Sequence, residues 1–126
     1  MLRSLFTVLF LAIVMSHLIA CATQHSPQTT IAASDDLVSR MGRAHVNADG
    51  SQTFGFPGVS FTVNAEGSRL IARMKSTAGN SWMDVSVDGE APRSILIPQQ
   101  LTDIELFRFP INGRHRVEIV HRSENW

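Results

Sequence analysis

The first side chains to test for chemistry are the serines that follow glycine. Gly58-Val59-Ser60 and Gly79-Asn80-Ser81 supply the first half of a nucleophile motif. Neither continues into the Gly-x-Ser-x-Gly elbow or the Gly-Asp-Ser sequence that places a serine on a sharp strand-to-helix turn. Bulky residues follow instead, so both serines read as strand residues and no catalytic residue is expected. Three histidines lie beyond residue 40, at 45, 115 and 121. His115 and His121 are six apart and would share a face of a regular strand. That is not yet a metal site, because zinc takes three or four ligands and the spacing supplies no third. Asp84, Asp88 and Glu90 gather near Asp88-Gly89. Oxygen ligands from a loop can hold Ca²⁺, but a solvated hairpin face accounts for the same acids. No glycine-rich loop leads from a strand into a helix, so nucleotide binding has no support. No metal and no cofactor are expected. Phe54, Phe56, Trp82 and Trp126 could form a stacking platform for sugar rings, or Phe54 and Phe56 could plug a core. Trp82 is the better platform residue, because alternation puts it on one face with Asp84 and Ser86, opposite Met83, Val85 and Val87. Trp82, Phe56 and Asp84 are therefore the candidate carbohydrate contacts.

These residues sit in a chain of 126, enough for one ordinary domain. Eleven Lys+Arg balance eleven Asp+Glu, which argues against a nucleic-acid partner. A single Cys excludes a disulfide framework and a cysteine zinc site. Arg3 and the apolar run Leu5 to Met15 have the form of a signal peptide. The run is too short to span a bilayer, which takes about 20 apolar residues. It ends in Leu18-Ile19-Ala20-Cys21, which resembles the bacterial lipoprotein cleavage site. The resemblance implies removal of residues 1–20 and acylation of Cys21, making membrane lipid a partner. One acyl chain anchors marginally and two or more hold stably. Ala22, not Asp, follows the Cys, so the expected location is the cell envelope, the outer membrane if the host is Gram-negative. Residues 22–36 are polar, rich in Thr, Ser and Gln, and read with Cys21 as a flexible linker spanning roughly 20 Å. The domain proper is expected over 37–126.

From Leu37 onward the apolar period is two, the signature of half-buried strands. Val59, Phe61, Val63 and Ala65 alternate with polar residues, as do Leu70, Ala72 and Met74, then Met83, Val85 and Val87. Three further runs cover 95–97, 104–109 and 116–122. Asp49-Gly50, Glu66-Gly67, Gly79-Asn80, Asp88-Gly89 and Asn112-Gly113 read as turns between them. Pro92, Pro98 and Pro110 lie at run ends, where a missing N–H costs little. The pattern predicts an all-β domain, an antiparallel β-sandwich or jelly roll of about eight short strands.

The same segments carry a family resemblance. Gly42-Arg43, Phe54-Gly55-Phe56-Pro57-Gly58-Val59-Ser60-Phe61, Glu66-Gly67-Ser68-Arg69-Leu70, the stretch Asn80 to Gly89, and Gly113 to Glu124 occur in an order similar to the N-terminal domain of carbohydrate esterase family 2, the acetylxylan-esterase-like deacetylases. Phe56 stands where that pattern has Trp, and Ser123 where it has Thr. The resemblance implies a jelly-roll-like accessory domain whose catalytic serine and histidine belong to a second, SGNH-type domain. It also implies an acetylated polysaccharide as the partner of the whole enzyme. This chain is then expected to be non-catalytic and to need an SGNH hydrolase domain. The alternative is a stand-alone carbohydrate-binding surface lipoprotein. A small hydrolase in its own right is disfavoured by the missing elbow.

Overall fold

The computed structural model describes residues 27–123, and Cys21, the signal segment and Trp126 lie outside them. Seven strands follow in chain order: β1 (Val38–Met41), β2 (His45–Val46), β3 (Gln52–Thr53), β4 (Ser60–Met74), β5 (Trp82–Val87), β6 (Arg93–Leu96) and β7 (Thr102–His121). Among the described residues there is no helix. Five strands form an antiparallel sheet in the order β1-β4-β7-β5-β6, and β2 pairs with β3. The fold is an all-β antiparallel sandwich, as the alternation predicts.

The strands are fewer and longer than the local pattern suggests. Runs 59–65 and 70–74 belong to one strand of 15 residues, and 104–109 and 116–122 to one of 20. Glu66-Gly67 and Asn112-Gly113 are not hairpin turns. Gly67 pairs with Gly113 inside the continuous β4–β7 ladder, and there the two strands bend together. Gly67 has φ +150°, and a Cβ on Gly113 would lie 2.9 Å from Nε2 of His115, so both positions favour glycine. Between Gly67↔Gly113 and Arg69↔Arg108, four residues of β7 (109–112) face only Ser68. Such irregularities bend and twist a ladder.

A second irregularity shapes the core. Leu70 pairs with Phe107 but Ile71 with Glu105, leaving Leu106 as an extra residue. Consecutive strand residues normally face opposite ways; the bulge lets Leu106 and Phe107 both turn inward, 2% and 6% exposed. They join Met83, Val85, Ile97, Val117 and Ile119 in one cluster. That cluster draws on both halves of β7, so the β4–β7 ribbon folds back over the sheet it came from. Each such side chain contributes roughly 1.5–3 kcal/mol by leaving water.

The compact unit that holds the sheet begins at Ile31, a few residues before the strand pattern starts. Ser34 N donates to Gly50 O at 3.0 Å, and Gln52 Nε2 to Ala33 O at 2.6 Å. These residues use backbone groups to hold the β2–β3 hairpin, a role that leaves no apolar period. On the outside of the ribbon, Glu105 sits between Arg108 and Arg69, at 2.7 and 2.6 Å, and Arg73 pairs with Asp103. Charges of this kind discourage edge-to-edge association more than they stabilise.

Candidate functional site

Burial of Met83 and Val85 turns Trp82, Asp84 and Ser86 to the other face of β5. The register with β6 then places Leu96 opposite Trp82 and Ser94 opposite Asp84. The end of β7 brings in Arg122 and Ser123. Trp82 N donates to Ser123 Oγ at 2.8 Å, and Arg122 N donates to Trp82 O at 2.9 Å. The indole is thus carried on a backbone held from two sides, and it remains 41% exposed.

Beside it the polar side chains hold one another. Ser94 Oγ donates to Asp84 Oδ1 at 2.6 Å. Arg122 Nη1 donates to Ser94 Oγ at 2.7 Å, and Arg122 Nε lies 3.3 Å from Asp84 Oδ2. Trp82, Ser94, Arg122 and Ser123 line an open groove of about 400 Å³. The arrangement can stack a flat apolar face and offer donors and an acceptor at its edge.

Phe56 is half exposed and lies beneath Arg43, whose guanidinium carbon is 5.7 Å from the ring centre. It does not line the Trp82 groove. Phe54 packs 5.0 Å from Phe61 and edge-on to His121 at 5.4 Å, which is the plug reading and not the platform one. The strand period does not extend to this segment, so face assignment by alternation has no purchase there.

The serines and histidines find structural work. Ser60 is buried within β4, opposite Val120. Ser81 Oγ and His121 Nε2 are 3.4 Å apart, a nucleophile–base separation at first sight. Both are buried, at 4% and 1% exposure, so no substrate reaches them. His121 Nδ1 faces the carbonyl of Phe56 at 2.9 Å, and a hydrogen on that nitrogen leaves Nε2 to accept from Ser81. With Gly58 N donating to His121 O and His121 N to Val59 O, this network pins the 54–59 loop to the end of β7.

His115 shares the inward face with His121, as their spacing predicts, but serves a different contact six residues back along the strand. Its Nδ1 is 2.8 Å from Asp88 Oδ2, and its ring stacks on Phe109 at 4.4 Å. Asp88 is held below the usual carboxylate range by His115 and then by the Arg116 backbone N–H. Asp84 and Asp88 are thus engaged by different partners. Among the described residues no group of three or more His, Cys, Asp or Glu could hold a metal ion. A second groove, of about 460 Å³, opens between the β5–β6 turn and the first half of β7, over Val87, Leu106 and Phe109. Arg93 crosses near it to donate to the carbonyls of Glu105 and Leu106 at 2.8 and 2.7 Å.

Ser94 and Arg122 are the groove residues that sequence reasoning did not single out. The signal for Ser94 was the Asp88-Gly89 turn, which sets the β5–β6 register. For Arg122 it was a place on the polar face of the last strand.

The chain is thus an all-β antiparallel module with a surface groove and a buried serine–histidine contact. The family model for the carbohydrate esterase 2 N-terminal domain matches residues 40–126, and the chain belongs to that family. It is 57% identical over 97 residues to an acetylxylan esterase / glucomannan deacetylase of Cellvibrio japonicus (strain Ueda107), a match covering 77% of this chain and 27% of the relative. It is also similar to the solved structure of a family two carbohydrate esterase from Cellvibrio japonicus, with a TM-score of 0.74 and 56% identity over 76% of this chain and 29% of that one. The chain therefore spans little more than a quarter of the curated relative it matches.

Proposed function

We propose that this chain is the non-catalytic N-terminal accessory domain of a carbohydrate-esterase-2-type enzyme acting on acetylated polysaccharide, and that ester cleavage is done by an SGNH hydrolase domain partnered with it. One observation carries the reading: the family match covers the β domain, while the esterase relative is several times longer than the matched part. The buried Ser81–His121 contact supports it, because the chain's described residues then have no exposed serine–histidine pair to replace that domain. The test is turnover of p-nitrophenyl acetate and release of acetate from acetylated xylan. The chain alone should release none. Its addition to the Cellvibrio relative lacking the corresponding N-terminal region should restore deacetylation. Turnover by the chain itself, or no restoration, rejects the proposal.

The Leu18-Ile19-Ala20-Cys21 motif resembles a lipoprotein cleavage site. We propose that acylated Cys21 holds the domain at the cell envelope, in the outer membrane of a Gram-negative host. Labelled palmitate should enter the wild-type chain in cells and be absent from Cys21→Ser. The exposed Trp82 favours a second reading, a stand-alone carbohydrate-binding surface lipoprotein, which differs in needing no catalytic partner.

A further inference from the structure

We propose that the groove at Trp82 is a binding subsite for a neutral glycan, in which Trp82 stacks on a pyranose ring and Asp84, Ser94 and Arg122 bind its hydroxyls. The inference rests on the carbohydrate-facing role common to both readings above, and it concerns this chain without any catalytic partner.

The aromatic side stands on a held backbone. Trp82 is tied through its main-chain N–H and C=O to Ser123 and Arg122, so the indole projects from a fixed point of the strand. Leu96, its cross-strand partner, is also exposed and widens the apolar surface. A pyranose presents an axial C–H face that stacks on such a surface while its equatorial hydroxyls point outward.

The polar side fixes the ligand class. Asp84 and Arg122 carry opposite charges and face one another, so the groove has little net charge to attract an anion or a cation. Arg122 uses Nε and Nη1 on Asp84 and Ser94, and its Nη2 has no hydrogen bond among the described residues. Asp84 Oδ2 has only the 3.3 Å contact. A donor and an acceptor side by side match two neighbouring hydroxyls, which each give one hydrogen and take another. An aromatic face flanked by a few fixed polar groups is a common form of a small-molecule site. A polyproline segment could also stack on Trp82, but it offers carbonyls alone and would give Asp84 Oδ2 no donor beyond Arg122.

Affinity electrophoresis of the full chain in native gels tests the site, with xylan, glucomannan, polygalacturonate or a polyproline peptide–dextran conjugate in the gel. Xylan or glucomannan should retard the wild type, and Trp82→Ala should weaken the retardation at least tenfold. Trp82→Phe, which keeps a stacking face, should retain part of it. Arg122→Gln and Ser94→Ala should weaken it severalfold, and Phe56→Ala should leave it unchanged. Circular dichroism and thermal melting confirm that each variant is folded; should Trp82→Ala fail to fold, Arg122→Gln decides. Free migration of the wild type in both neutral glycans overturns the assignment. So does unchanged retardation of folded Trp82→Ala or, in its place, Arg122→Gln, or retardation by polygalacturonate or polyproline only. The result is independent of the esterase restoration assay, so failure of one is not failure of the other.

Discussion

Two grooves of similar size on this small domain differ in where their arginines are spent. The one over Val87, Leu106 and Phe109 is a seam. Its floor is core, and Arg93 beside it is spent on the carbonyls of Glu105 and Leu106. The one at Trp82 lies on the outer face, and its charged groups are held by one another with capacity left over. Concavity alone therefore says little here.

The largest effect that should divide the two regions is on stability. Leu106→Ala removes the bulged side chain that closes the seam, and should cost about 2–5 kcal/mol, lowering the melting temperature by on the order of 10–20 °C. Trp82→Ala, on the other face, should cost about 1 kcal/mol or less. Similar losses from the two, measured by urea unfolding, would erase the distinction.

Gly113→Ala comes next. Its Cβ would meet His115 Nε2 at 2.9 Å, so the ring must move off Phe109 and Asp88. Overpacking of this kind costs about 1–3 kcal/mol. It should disturb the surroundings of His115 within β7 and leave the Trp82 groove unchanged, which chemical shifts at the two places would report.

The smallest effect is on acid stability. Asp88 ionises below its ordinary value in the folded chain because it accepts hydrogen bonds from His115 and Arg116 N. A depressed carboxylate stabilises the fold fully above the unfolded value, about 3.9, and loses that contribution as pH falls through the folded one. Melting temperature should therefore fall below about pH 4, and Asp88→Asn should fall less steeply over that range. Identical slopes would show that Asp88 is not the group responsible.

Much of this was written in local pattern. Alternation alone separates the Trp82–Asp84 face of β5 from Met83 and Val85, and it gives His115 and His121 a common face. It could not show that Gly67 and Gly113 face each other, because each dipeptide looks like a turn and the decision is made by a partner 46 positions away. The inward Leu106–Phe107 pair likewise depends on a register slip against β4. The site divides the same way. Trp82 and Asp84 are two residues apart and legible together, whereas Ser94 and Arg122 reach them only through sheet register. Phe56 escapes because its segment is loop, where residue spacing carries no orientation.

The length of β7 has a mechanical consequence. One unbroken strand of 20 residues contributes to both layers of the sandwich, so neither layer can peel away without the other. Tension applied beyond His121 would load the whole β4–β7 ladder in shear, with its many hydrogen bonds sharing the force, and the domain should give way in one abrupt step when stretched from that end.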